Sequence, residues 1–212
     1  MTWATVDVIM PIIVRARGAS GKSIVVIVTM SPDRAGVESS GRMPVIRPLG
    51  PADAPVFREQ RIRALREHPD VFGRSPEEVA PVEVLAEQFR QDAGSEEDFI
   101  LGAFEGGALL GVAGCHRERA IKQRHVATIW GVYVVPERRG TGLGRQLVVE
   151  AMARARTWKD LECLWLDVTT VNTGARALYA SLGFRGVAIK PRVLKVDGRY
   201  YDEELMVLDL TA

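Results

Sequence analysis

From residue 44 onward, apolar positions fall into alternating blocks of strand-like and helix-like period. Residues 44–47 predict a short strand. Residues 53–68 predict a helix, because Phe57, Ala64 and Leu65 share one face. Ser75-Pro76-Glu77-Glu78 is a capping box with proline at the first helical position. It opens a second helical region reaching about Asp92 and interrupted at Pro81. Residues 99–104 and 108–117 predict a hairpin around Glu105-Gly106-Gly107. Residues 125–135 predict a long strand, and residues 143–156 a helix with Leu147, Val148, Ala151, Met152 and Ala155 on one stripe. A strand over 164–169 precedes a helix over 172–182, which Gly183 stops. Strands over 184–190 and 201–210 close the chain. The order β-α-α-β-β-β-α-β-α-β-β predicts a mixed α/β (α+β) domain over residues 44–212.

Residues 1–43 differ. Two β-like runs, 6–14 and 23–29, flank a turn-like 18–22, and a polar stretch over 31–42 reads as a linker. Met43 stands directly before the first predicted strand. Two readings stay open: an N-terminal extension of unknown role, or a leader foreign to the native protein. Either way residues 1–42 are expected to be dispensable for chemistry.

Composition narrows the function classes. Hydrophobic residues make up 47% and charged residues 26%, the balance of a chain with a full core. The formal net charge is +1, so neither a nucleic acid nor a membrane surface is an expected partner. No apolar run approaches the roughly 20 residues that span a bilayer. Cys115 and Cys163 match no metal-ligand spacing and form no disulfide framework. Buried free thiols in a reducing cytoplasm are the expectation.

The segment Val132 to Arg145 carries the strongest chemical signal. A β-rich run enters a turn with alternating Gly140, Gly142 and Gly144, then becomes a helix. Glycines let a ligand approach the backbone, and the first helical turn offers unpaired N–H groups and a positive dipole end. That combination cradles an anion such as a pyrophosphate. Arg138, Arg139 and Arg145 add positive charge nearby. A dinucleotide fingerprint would need Gly or Ala where Arg145 stands, and a P-loop would need a terminal Gly-Lys-Ser/Thr. Arg139-Gly140-Thr141-Gly142-Leu143-Gly144 instead satisfies (Arg/Gln)-x-x-Gly-x-(Gly/Ala), a turn that binds the pyrophosphate of coenzyme A.

With this turn, the sequence resembles the GNAT superfamily of acyl-CoA N-acyltransferases. Downstream, Asn172-x-x-Ala175-x-x-Leu178-Tyr179-x-x-Leu182-Gly183-Phe184 resembles a second motif of that family. The resemblance covers about residues 44–210. It implies a mixed, mostly antiparallel central sheet with helices on both faces, and acetyl-CoA or coenzyme A as co-substrate without a metal. The implied reaction is direct acetyl transfer to a primary amine. The acceptor class stays open between small molecules, such as a polyamine, an amino acid or an aminoglycoside-like drug, and a protein or peptide amine. A homodimer is admitted as an assembly. A non-catalytic acyl-CoA binder or sensor is the alternative.

By resemblance, the edge of Val132, Tyr133 and Val134 pairs with the pantetheine arm, and Arg139, Gly140, Thr141, Gly142, Leu143, Gly144 and Arg145 hold the pyrophosphate. Asn172 reads as a helix N-cap and, by resemblance, as a contact to coenzyme A. Tyr179 shares the apolar stripe of Ala175 and Leu182, which suits a core tyrosine. The resemblance makes its hydroxyl the acid that protonates the departing thiolate, while its pKa near 10 keeps the proton in place at neutral pH. For the general base, Asp167, His125 and His116 are candidates beside water. Asp167 alternates with Leu166 and Val168, so it points away from their face. Asp202, Glu203 and Glu204 could attract a cationic amine or form a solvated turn. One competing pattern, Ala16 to Ser23, satisfies a relaxed P-loop but runs into a predicted strand rather than a helix.

Overall fold

The computed structural model describes residues 43–211 except 94 and 96, and the backbone of two strands nearer the N-terminus. Those two, β1 (Ile12–Arg17) and β2 (Ser23–Val28), pair antiparallel from Ile12↔Val28 to Arg17↔Ser23. Residues 6–11, the turn over 18–22 and the linker over 31–42 lie outside the described residues. Because Ser23 opens a strand, the Ala16–Ser23 pattern lacks the helix that a phosphate loop requires. The chain separates into two compact units, Met1–Gly41 and Arg42–Ala212.

The larger unit is built on a sheet of seven strands. These are β3 (Val45–Pro48), β4 (Asp98–Glu105), β5 (Ala108–Arg117), β6 (Val126–Val134), β7 (Cys163–Thr169), β8 (Arg185–Val196) and β9 (Arg199–Asp209), in the order β3-β4-β5-β6-β7-β9-β8. All neighbours are antiparallel except β6 and β7, which run parallel. The helices are α1 (Ala54–Glu67), α2 (Val82–Asp92), α3 (Leu143–Ala155) and α4 (Thr173–Ser181). On one sheet face, Phe57 and Ala64 of α1 and Leu85 and Phe89 of α2 bury against Ile100, Val112 and Tyr133. On the other, the predicted α3 stripe buries against Leu101, Ile129, Leu164 and Leu166. Truncating a core leucine such as Leu147 to alanine costs about 2–5 kcal/mol in comparable sites. The mixed, mostly antiparallel sheet with helices on both faces is thus the observed fold.

Two elements differ from the sequence reading. The Ser75 capping box closes only the short 3-10 turn Pro76–Glu78, with Ser75 N–H donating to Glu78 Oε2 at 2.7 Å. The chain then extends at Val79, and α2 starts afresh with Pro81 as its N-cap. Strand β8 continues past Lys190 to Val196, because it is an edge strand and tolerates Pro191 without its N–H. The register slips between Lys190 and Leu194, where Arg192 sits at φ 58 and donates its N–H to Asp202 Oδ1 at 2.8 Å.

Candidate active site

Strands β6 and β7 pair only over Val126↔Cys163 to Thr128↔Trp165. Beyond Thr128 they part, and the edge of β6 from Ile129 to Val134 has no strand partner on that side. A bulge sharpens the divergence. Val112↔Tyr133 and Gly114↔Trp130 set Ala113 alone against Gly131 and Val132, with Gly131 at φ 64. The extra residue inverts the alternation of side chains. Ala127 and Ile129 face the α3 core before the bulge, as Val132 and Val134 do after it. Trp130 and Tyr133 face α1. A cleft of about 360 Å³ fills the gap between the strands, within the usual range for small-molecule sites.

Val132, Tyr133 and Val134 line this cleft and an adjoining hollow of about 400 Å³ that reaches Arg139. Tyr133 is buried, and its hydroxyl donates to Glu67 Oε2 at 2.8 Å on the α1 side. Burial, and then this bond, push the Tyr133 hydroxyl up to about 12. Its side chain therefore braces α1, and its backbone is what remains for a ligand.

At the end of β6 the chain turns through Gly140 at φ 75 and Gly142 at φ 85, a left-handed region that other residues enter at a cost. A Cβ at either would meet nothing within 4 Å, so the space above the turn is open. Gly142 caps α3, whose first intrahelical bond runs from Gln146 N–H to Gly142 C=O at 3.1 Å. The N–H groups of Leu143, Gly144 and Arg145 thus have no intrahelical acceptor. Gly144 has no positive φ, and a Cβ there would make ordinary contacts with Val134 and Leu178. Thr141 Oγ1 donates to Arg138 C=O at 2.8 Å and tightens the turn.

The three arginines do not act alike. Arg138 pairs with Glu105. Arg139 Nε donates to Val134 C=O at 3.1 Å, and its Nη2 lies 2.8 Å from His68 Nε2. Its guanidinium is held across the end of β6 while its backbone sits in the turn. Arg145 Nη1 donates to Ser181 Oγ at 2.8 Å, which keeps its charge between α3 and α4.

Asn172 is the N-cap of α4, its Oδ1 accepting from Ala175 N–H at 3.2 Å, and it lines the cleft. About two turns on, Tyr179 is 7% exposed and packs edge-on against Phe184 at 6.1 Å between centroids. It lines the cleft from the α3 side, and its hydroxyl has no hydrogen-bond partner among the described residues. Burial alone pushes that hydroxyl up to about 12.

The opposite face of the sheet supplies the carboxylates. Leu164, Leu166 and Val168 point into the α3 core, so Asp167 and Thr169 point the other way. Asp167 lines the cleft but accepts from Lys190 Nζ at 2.6 Å. Glu203, opposite Thr169 and Lys190 in register, also lines the cleft. Burial first, then repulsion from Asp167, raise its carboxyl above the ordinary carboxylate range, against the pull of Lys190. His125 precedes β6 and lines a different hollow with Arg117, Trp158 and Glu162. His116 stands 3.6 Å from Glu118 and lines neither the cleft nor the hollow beside it. The structure brings neither histidine to Tyr179.

The comparisons with known proteins bear on this arrangement. The Acetyltransferase (GNAT) family matches residues 62–184. The chain belongs to this family. The GNAT match takes in the glycine turn, the Asn172 helix and Tyr179. Among similar relatives, N-alpha-acetyltransferase RimI of Mycobacterium tuberculosis is 35% identical over 112 residues, covering 52% of this chain and 66% of that one. The [Ribosomal protein bS18]-alanine N-acetyltransferase of Salmonella typhimurium is 32% identical over 85 residues, covering 40% of this chain and 57% of that one. The aligned stretches thus span less than two thirds of either relative. Among solved structures, an acetyltransferase of GNAT family from Streptococcus pneumoniae superposes with a TM-score of 0.74 at 24% identity, covering 79% of this chain and 99% of that one. Salmonella typhimurium yncA, solved with its cofactor acetyl-CoA, superposes with a TM-score of 0.70 at 24% identity, covering 80% and 95%. At those identities the likeness is one of fold.

Sequence reasoning missed several residues of this GNAT cleft. Gly131 makes the bulge; a lone glycine inside a strand pattern is the signal that points to it. Arg61 of α1, Phe72 and Trp130 also line the cleft, and no spacing links them. Glu203 was legible only as one acid in a run of three.

Proposed function

We propose that this chain transfers an acetyl group from acetyl-CoA to an amine by direct attack in the cleft between β6 and β7. The single observation carrying this reading is the convergence of an unpaired strand edge, an open anion cradle and an unbonded buried tyrosine on one cleft. The pantetheine arm adds to the edge of Val132–Val134, and the pyrophosphate takes the free N–H groups of Leu143, Gly144 and Arg145. The amine nitrogen attacks the thioester carbonyl carbon, and the carbon–sulfur bond breaks. Backbone N–H groups at the divergence polarise the carbonyl. Tyr179 gives its proton to the departing sulfur; the apolar surroundings that raise its own pKa also raise the proton affinity of a thiolate.

The attacking amine must shed a proton. Glu203 is the better acceptor, because Asp167 is held by Lys190 while Glu203 is desolvated with a raised proton affinity. Asp167 then adds negative potential that favours a cationic amine on approach. Glu203→Gln is expected to lower turnover at neutral pH by about 10²–10⁴-fold while acetyl-CoA affinity holds. Wild-type kcat/KM should fall on the acid side, with a midpoint above the ordinary carboxylate range. That limb should vanish in the variant; an unchanged profile removes Glu203 from the mechanism.

Residues 44–212 carry the transferase domain and residues 1–43 an extension. A chain starting at Met43 is expected to fold and to bind acetyl-CoA with the affinity of the full chain, measured by calorimetry. Insolubility or lost binding assigns the extension to the domain. The free thiols Cys115 and Cys163 support the cytoplasmic location expected above. Among the described residues no helix is long and apolar enough to cross a membrane.

A further inference from the structure

The α1 face of the cleft holds three buried polar groups without hydrogen-bond partners among the described residues, on Arg61, Trp130 and Thr169, and the first two are donors only. Arg61 projects from α1, and its Nη1 is buried with no hydrogen-bond partner among the described residues. It reaches the bulge, since a Cβ on Gly131 would lie 3.8 Å from that nitrogen. The Trp130 indole lies over Gly114 of β5, and its Nε1 is also buried with no hydrogen-bond partner among the described residues. Arg61 and Trp130 both line the cleft. The guanidinium carbon of Arg61 stacks 4.7 Å from the Phe72 ring centre, which fixes its plane without neutralising its charge.

Arg61 is half-buried, and a cation so desolvated without a partner is costly, a cost ordinarily met by an anion. Among the described residues none is supplied. Asp167 is committed to Lys190, and Glu203 makes no ion pair with Arg61. Arg74 adds a second positive charge close enough to act on Arg61. Burial, and then Arg74, push the Arg61 guanidinium down to about 10, which still leaves it charged at neutral pH. The planar fork of a guanidinium matches a carboxylate better than it matches any neutral group, and an indole N–H on the same cleft can add a further donor.

The same sheet face presents the opposite charge at its other side. Asp167 and Glu203 come from β7 and β9, while Arg61 and Trp130 come from α1 and β6. The cleft is thus polarised, negative toward β9 and donor-rich toward α1. We infer that the acceptor is a small amine bearing a carboxylate, an amino acid in chemical class, with its carboxylate on Arg61 and Trp130 and its nitrogen toward Glu203. The inference rests on the acetyl transfer proposed above.

The test uses the full chain with two readouts. The first is kcat/KM for common L-amino acids, their primary amides, and dipeptide amides with Glu or Gln in second position. The best free acids should exceed their amides by at least about tenfold, as expected for hydrogen bonds to a charged group. Arg61→Met and Trp130→Phe should each collapse that ratio. Trp130→Phe keeps the ring and loses only the N–H, so it remains informative if Arg61→Met unfolds. Equal rates for acids and amides in wild type, or a ratio that survives both substitutions, overturns the inference. A preference for Glu over Gln dipeptides without one for free acids overturns the amino-acid class.

The second readout needs no turnover. With coenzyme A saturating, calorimetry should show N-acetylglycine binding at least about tenfold tighter than N-acetylglycinamide, with the difference lost in Arg61→Met. If that difference stands while no amine is acetylated, the carboxylate site holds and the transfer reading fails. Turnover without any such difference has the reverse meaning.

Discussion

Gly142→Asp is expected to weaken acetyl-CoA binding by roughly 10²-fold or more, because it sets a like charge against the pyrophosphate. The position is open, so no clash accompanies the new Cβ. Gly142 sits at φ 85 and ψ −1, and aspartate enters that left-handed region more readily than most residues. The backbone cost is of order 1–2 kcal/mol, so the melting temperature should fall by only a few degrees. Gly142→Asn separates the two effects: it has the same shape and backbone strain without the charge. Calorimetry should show a far smaller loss for Asn than for Asp. Equal losses would mean that geometry rather than charge sets affinity at this turn, and unchanged affinity in both would place the pyrophosphate elsewhere.

Tyr179→Phe is expected to lower turnover by about 10²–10⁴-fold, the usual worth of general acid catalysis. The ring stays against Phe184, and the hydroxyl that is lost carries no hydrogen bond among the described residues. Stability should therefore hold, since no buried partner is orphaned. Acetyl-CoA affinity should change little, because the hydroxyl acts as the thiolate forms. Turnover within about threefold of wild type would leave proton delivery to water. A large drop in melting temperature would make Tyr179 a packing residue first.

The residues that were legible from sequence are those whose role is local. Gly140 and Gly142 announce a tight turn because the backbone there does what side chains resist, whereas Gly144 is part of the pattern without needing a positive φ. Asn172 announces a cap because its Oδ1 serves an N–H three residues away. Tyr179 was legible because it follows Asn172 at a fixed helical offset. What escaped is what tertiary folding assembles. Arg61, Trp130 and Glu203 lie on α1, β6 and β9, far apart in the chain, and line one cleft because β6 and β7 part after three paired residues. Asp167 was placed on the right face by alternation, but its pairing with Lys190 depends on how β8 adds to the edge of the sheet. The side chain of Arg139 belongs to the same class. Its position in the motif suggested a grip on phosphate, whereas Val134 C=O and His68 hold it across β6. Local pattern reports backbone chemistry well and reports long, mobile cationic side chains poorly.

The most direct measurement is the release of free thiol from acetyl-CoA when the full chain is mixed with a panel of amines, with mass spectrometry of the acceptor alongside. Thiol release is expected to require an amine, with one acetylated amine formed per thiol released, and both should be lost in Tyr179→Phe and Glu203→Gln. Tight acetyl-CoA binding with no thiol release from any amine in the panel would contradict acetyl transfer and make the protein a binder of acyl-CoA rather than a transferase.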